Sequence, residues 1–369
     1  MRNFKYGDDK IQNRDIMIAL PSMLIGVGIL PFPRILAEDT RFSDGWIVIL
    51  FSGAIVTAIA WCVAKLAANF PNQSFLDYSS SLVTKPVAVF FTFLFTVQGV
   101  ALTAFEVRAI AEISHQYLFN RTPMEVVALT FLLVVVYAVA NTRGGIFRLN
   151  AMFLPIIFIT TGLLVLFSVP FMGWHNVLPM FKTDLQGYLQ GSLKTTLSYT
   201  GVGILFFYIS LVKEPKHVAK YTVIGMSWAI ILYVFIFVTC IAVFGELTTA
   251  NIRFPLIELA KSIEIPGGFF ERIESIFFVI WIMAIFTTTA MAFDVGVLAL
   301  SSIIPKVKKI HLLFVLTPLI FAVAMIPRDF IEMENFGNYM SYSSWILIVI
   351  ITTILGVMYK VKGAKQNEK

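Results

Sequence analysis

The chain is poor in the residues that do chemistry: its 369 residues include two cysteines, four histidines and only 14% charged residues, against about 25% charged in an ordinary soluble domain. Cys62 and Cys240 fall inside apolar runs, far from any metal-ligand spacing, so they give no disulfide or zinc framework and read as buried inert thiols. His115, His175, His217 and His311 lie near the ends of such runs, with no partner at metal-binding spacing. There is no Gly-x-Ser-x-Gly, Walker or zinc-protease pattern, and enzyme chemistry, a cofactor and a metal all lack support. No polar stretch is long enough to fold as a soluble domain. The formal charge of +6 sits in short segments between apolar runs, which speaks against a nucleic-acid surface.

What is present is apolar sequence, 58% of residues. Ten runs are long enough to cross about 30 Å of hydrocarbon: 13–35, 44–69, 86–116, 123–141, 147–169, 189–212, 218–245, 268–301, 309–325 and 336–361. With the N-terminus cytoplasmic, 18 of the 28 Lys and Arg fall on that side, so both termini are expected there. No small-residue cleavage site follows Arg2, Lys5, Lys10 and Arg14, and the first run is expected to be retained. Between the seventh and eighth runs, residues 254–263 have helical apolar spacing and predict a helix lying on the outer surface.

The first run reads Leu24-Ile-Gly-Val-Gly-Ile-Leu-Pro-Phe-Pro-Arg34. A glycine costs a helix about 1 kcal/mol and a proline removes a backbone bond, so the helix should unwind here and bare polar backbone should line an enclosed cavity. The sixth run repeats this grammar in Ser198-Tyr-Thr-Gly-Val-Gly203, five runs later. An odd number of spans per repeat gives the halves opposite topology. The expectation is one all-α domain over 1–369, with ten transmembrane helices as a 5+5 inverted repeat (about 13–169 and 189–361) and helices 1 and 6 discontinuous. A single glycine pair more often reflects close helix packing; two at matching positions favour the broken pair.

Half-helix ends suit a small zwitterion, carboxylate at an N-terminus and ammonium at C-terminal carbonyls. The candidate lining is Ile25, Gly26, Val27 and Gly28 in the first break and Tyr199, Thr200, Gly201 and Val202 in the second. Gln98, Ala101, Phe105 and Glu106 of the third run and Thr287 and Met291 of the eighth complete it. Arg108 and Glu112, at i,i+4, are expected to pair, leaving Glu106 for an amine, a proton or a basic group on another helix. The hydroxyls of Thr287 and Thr288 are open to a sodium ion, to the ligand, or to their own helix. Asp294, toward the cytoplasmic end, is a candidate for coupling, gating or a salt bridge with a basic loop.

The chain resembles the endospore germination permeases, the B-type membrane subunit of spore nutrient germinant receptors, within the amino acid/polyamine/organocation superfamily. The resemblance runs nearly end to end: the first break, Asp44-Gly-Trp46, Phe70-Pro-Asn-Gln-Ser-Phe-Leu-Asp-Tyr78, Val107-Arg108, Thr122-Pro123, Asn141-Thr-Arg-Gly-Gly-Ile-Phe-Arg148 and Glu214-Pro-Lys-His-Val-Ala-Lys-Tyr221. It implies a LeuT-like fold and a nutrient, an amino acid foremost, bound centrally. It also implies A-type and C-type partner subunits and a place in the inner membrane of the spore. Family members often carry an acidic residue after the glycine of the sixth-span break, where this chain has Gly201-Val-Gly203, which puts more weight on Glu106. The alternative is a proton- or sodium-coupled amino acid transporter.

Overall fold

A computed structural model of the chain describes residues 11–262 and 273–367, with side chains described for 11–262 and 277–362. The helices are Asn13–Leu24 (α1), Phe32–Asp39 (α2), Gly45–Ala67 (α3), Phe75–Leu82 (α4), Lys85–Tyr117 (α5), Met124–Ala140 (α6), Arg143–Ser168 (α7), Leu185–Lys194 (α8), Leu205–Tyr208 (α9), Val218–Phe244 (α10), Glu246–Asn251 (α11), Pro255–Lys261 (α12), Ile273–Ile303 (α13), Lys309–Ala324 (α14) and Phe330–Asn367 (α15). Six helical stretches are long and apolar enough to cross a membrane: 45–67, 85–117, 143–171, 215–244, 277–303 and 330–362. Three shorter apolar ones span Met124–Ala140, Val202–Leu211 and Lys309–Ala324. The chain is therefore an all-helical membrane protein.

At its centre α5 crosses α13 where both carry glycine. A Cβ on Gly99 would lie 2.8 Å from the Gly296 Cα and 2.9 Å from the Ala292 carbonyl oxygen, so only glycine permits this approach. Helices α1, α3 and α10 pack together beside that pair, with α7 against α1 and α13. The start of the first broken helix is tied to the end of the second, since Ile11 N–H donates to the Leu211 carbonyl at 3.1 Å and Lys213 N–H to the Ile11 carbonyl at 3.0 Å.

Asp44 is the other fixed point. Its buried carboxylate accepts from the N–H groups of Phe181, Lys182 and Thr183 at 2.6, 2.6 and 2.8 Å and from the Thr183 hydroxyl at 2.9 Å. The loop before α8 is thereby pinned to the start of α3. Burial alone would raise the Asp44 pKa, but the bonds from Thr183, Phe181 and Lys182 outweigh it and hold the group below its ordinary 3.8.

Two expectations need correction. The helix within 254–263 exists as α12, but it does not lie on the surface. Pro255, Leu256, Ile257, Leu259 and Ala260 are all buried, because its apolar side is packed onto α13, α10 and α7; Ile263 lies outside the described residues. Cys240 is buried, but Cys62 is exposed on the outward face of α3. The short α4, opened by a Ser74–Asp77 capping box, is a further helix between the second and third runs. Residues 268–272 of the eighth run lie outside the described residues.

Candidate functional site: two helix breaks face to face

Helix α1 stops at Leu24, Ile25 N–H closes it on the Pro21 carbonyl at 2.8 Å, and Gly26 turns out of helical geometry (φ −101°, ψ −137°). Pro31 and Pro33 then seed α2, where missing donors cost nothing. In the second break Gly201 has φ +125°, a conformation open to glycine, and a Cβ there would also meet Met23 Cγ at 2.5 Å. The breaks touch. Ser198 Oγ donates to the Gly28 carbonyl at 2.9 Å, and a Cβ on Gly28 would lie 3.0 Å from Ser198 Cα. Tyr233 of α10 sets its hydroxyl 2.7 Å from the Leu24 carbonyl and 2.8 Å from the Ser198 carbonyl, one phenol between both breaks.

The first break also meets α5 and α13. A Cβ on Gly26 would stand 2.9 Å from Glu106 Oε1 and 2.9 Å from Thr288 Oγ1. Thr288 donates toward the Ser22 carbonyl at 2.9 Å, with the Ala284 carbonyl at 3.2 Å. Glu106 is 3% exposed; the Val27 N–H acts on its carboxyl, and Oε2 has no hydrogen-bond partner among the described residues. An unpaired carboxyl oxygen at this depth is expensive to keep. The second break carries no charge. Beside it Met23, Gln98, Gly99, Leu102, Gly201 and Ser344 line a cavity of about 30 Å³, roughly the room of one water.

The sequence candidates divide by position. Gly26 and Glu106 share one centre, with Ile25 and Val27 buried beside them. Gly201 and Gln98 line the small cavity, and Thr200 Oγ1 meets Ser341 Oγ at 3.0 Å. Gln98 also donates to the Met340 carbonyl at 3.2 Å. Tyr199 donates to the Ile49 carbonyl on α3 at 3.0 Å, Val202 is fully buried and Ala101 partly so. Phe105 turns to α15, its ring 6.3 Å from that of Phe336. Met291 turns to α7, where Asn150 Nδ2 stands 3.2 Å from its sulfur. Thr287 bonds back to the Ala284 carbonyl at 2.8 Å, so Thr288 is the threonine that reaches the first break. Sequence reasoning did not select Tyr233, Ser22, Met23 or Ser341. Only Ser198, next to the second glycine pair, stood within a motif already singled out.

Ion pairs close both ends of this core. Arg34 of α2 pairs with Glu38 at 2.6 Å and with Glu334 of α15, and Lys194 of α8 reaches Asp39 at 2.9 Å. At the other end, fully buried Asp294 of α13 meets Arg143 at 3.0 Å, Lys309 at 3.7 Å and the Tyr208 hydroxyl at 3.2 Å. The Arg108–Glu112 pair forms at 3.1 Å.

The fold resembles two solved structures: MhsT in complex with L-phenylalanine (TM-score 0.71, 16% identity, covering 92% of this chain and 87% of that one), and MHP1, a nucleobase-cation-symport-1 family transporter (TM-score 0.68, 12% identity, 94% and 80%). Among sequence relatives, spore germination protein GerLB of Bacillus cereus is 40% identical over 368 residues, covering 98% of this chain and 97% of the relative. Spore germination protein YndE of Bacillus subtilis (strain 168) is 30% identical over 363 residues, covering 98% of each. The sequence pattern of one family, described as spore germination protein, matches residues 10–333, and the chain belongs to that family.

Proposed function

We propose that this chain is the nutrient-sensing membrane subunit of a spore germinant receptor. It binds a small germinant, an amino acid foremost, between the two helix breaks and passes the change to A-type and C-type subunits in the inner spore membrane, with both termini cytoplasmic. The observation that carries the reading is Glu106, with one unpartnered oxygen, standing against the Gly26 break where α1 ends and α2 begins. A ligand ammonium group pairs with Glu106, and a ligand carboxylate takes free N–H groups where the chain restarts as a helix. Family membership and the transporter-like fold support this role, as does the amino acid in MhsT. The order of elements supports ten spans in a 5+5 inverted repeat: a broken helix (α1, α2) followed by α3, α5, α6 and α7, then a broken helix (α8, α9) followed by α10, α13, α14 and α15.

A cavity of about 30 Å³ is too small for an amino acid. Entry therefore parts an end pair, Arg34–Glu334 or Arg143–Asp294, and the nutrient shifts the population toward the conformer that accommodates it. That differential affinity is the signal. A second reading, an ion-coupled transporter, draws on the same unpartnered Glu106 oxygen, which can carry a proton. Equilibrium binding and isotope uptake of amino acids, sugars and nucleosides by the protein in liposomes separate the two. Saturable binding without gradient-driven accumulation is expected of the sensor; accumulation that follows a proton or sodium gradient would replace that reading with transport.

A further inference from the structure

A second binding region lies on the outside of the bundle. Ile18 of α1, Ala151, Leu154, Pro155 and Phe158 of α7 and Trp228 of α10 line an apolar groove of about 420 Å³. Its shape follows from the sequence. Pro155 sits inside α7 and deprives the Ala151 carbonyl of its helical donor, and Ala151 is too small to fill the seam. On one side α1 is jammed against α10, where a Cβ on Gly225 would lie 2.6 Å from the Met17 carbonyl oxygen. At the far end the Phe158 and Trp228 rings meet edge to face, centroids 6.3 Å apart.

The near end is basic. Arg14 precedes Ile18 by one turn, Arg148 precedes Ala151 by three residues, and Lys220 precedes Trp228 by just over two turns. All three cations are exposed, and the three helices start at one end of the bundle: Asn13 Nδ2 of α1 bonds the Glu214 carbonyl before α10 at 2.8 Å, and Tyr208 joins Arg143 of α7 on Asp294. Of the acidic groups nearby, Asp15 accepts from Gln12 N–H at 2.7 Å in its own cap, and Glu214 is a single exposed carboxylate. From Arg148 to Phe158 a helix rises about 15 Å, the depth of one leaflet of an about 30 Å hydrocarbon layer.

We propose that this groove binds an anionic phospholipid, one acyl chain along Ala151, Pro155 and Trp228 and the phosphate on Arg14, Arg148 and Lys220. Charge complementarity selects the headgroup and the one-leaflet depth selects the chain; basic pockets between membrane helices take such headgroups generally. Because α1 runs on from Ile18 to the Gly26 break, a bound lipid also restrains the half-helix that must move when the core opens.

The test uses the full chain in vesicles carrying acyl-brominated phosphatidylglycerol or phosphatidylcholine, with Trp228 quenching taken as the difference from Trp228→Phe. Quenching by the anionic lipid at least about threefold stronger than by the zwitterionic one is expected. Arg14→Gln/Arg148→Gln/Lys220→Gln should remove the preference, and Ala151→Phe should lower quenching by both lipids. If the triple variant fails to fold, Arg148→Gln alone should halve the preference. Equal quenching by both lipids, no quenching, or loss of the preference on adding soluble glycerol phosphate would each overturn the site.

Discussion

The two breaks are written in the same glycine grammar and end as different chemical surfaces. The first turns Gly26 against a carboxylate and a threonine hydroxyl, both supplied by neighbouring helices. The second turns Gly201 against Met23 and opens onto Gln98, Gly99 and Ser344, with no charge on any wall. The difference divides the labour on the proposed reading. The first break holds the charged end of a ligand; the second accommodates the neutral part and sets its size. A chain with acidic groups at both breaks would suit a dication, whereas this one suits a ligand with a single cationic end.

The largest effect should come from the second break. Gly201→Leu forces a side chain into φ +125° and against Met23, a strain of about 1–2 kcal/mol for the backbone plus about 1–3 kcal/mol for overpacking. Germination response in spores should be abolished while the protein still inserts, as immunoblotting of membranes would show. Gly26→Val should act similarly but through Glu106 and Thr288, side chains that can shift. A normal response from both variants would place the site elsewhere.

Glu106→Gln tests the asymmetry directly. It keeps the volume and removes the charge, so amino acid binding in liposomes should weaken at least about tenfold, or about 1.4 kcal/mol, while Thr200→Val at the second break should change it less than about threefold. Equal losses from the two would break the comparison and leave the breaks chemically equivalent.

Asp44 distinguishes how the two broken helices are held. The start of the first is tied to the end of the second by backbone bonds between Ile11, Leu211 and Lys213, which draw on no side-chain group. The start of the second depends on one carboxylate, since Asp44 fixes the loop that leads into α8. Asp44→Asn replaces charge-assisted bonds and turns a donor toward donors, costing about 2–3 kcal/mol. Thermal unfolding in detergent should report it. The folded-state pKa is depressed, so this stabilisation is complete above the unfolded value, about 3.9, and fades as pH falls through the lower folded one. The wild type should therefore lose stability below about pH 4 by a component that Asp44→Asn lacks.

Both breaks were legible because glycine and proline inside an apolar run have a backbone meaning that needs no tertiary context. The placement of Glu106 was legible for a related reason: a carboxylate in a membrane helix must face inward or pair. Side-chain direction was not. Phe105 and Met291 lie on runs that are apolar on every side, so periodicity carries no information on which face meets the breaks, and each turned to another helix. Thr287 and Thr288 differ by one residue, about 100° of helix rotation, and sequence could not say which would reach α1. Arg108 and Glu112 could be paired because i,i+4 spacing is local, whereas Asp294 and Arg143 stand 151 residues apart. Tyr233 gave no signal at all, as one tyrosine in a long apolar run.

That tyrosine gives the finest test. Its hydroxyl stands at hydrogen-bond distance from carbonyls of both breaks, but it has one proton, so it donates to one at a time. Tyr233→Phe removes the donor and keeps the ring that packs on Phe32 and Tyr199. The hydrogen bond that the phenol donates is then lost, and the loss should be about 1–2 kcal/mol. If the phenol serves only the compact state, that energy is lost from the closed conformer alone, so the nutrient affinity should rise about fivefold or more while thermal stability falls. If the phenol also holds the breaks together around the ligand, affinity and stability should fall together. Binding isotherms and melting curves on the same preparation separate these outcomes, because the first ties Tyr233 to the conformational equilibrium and the second to the site itself.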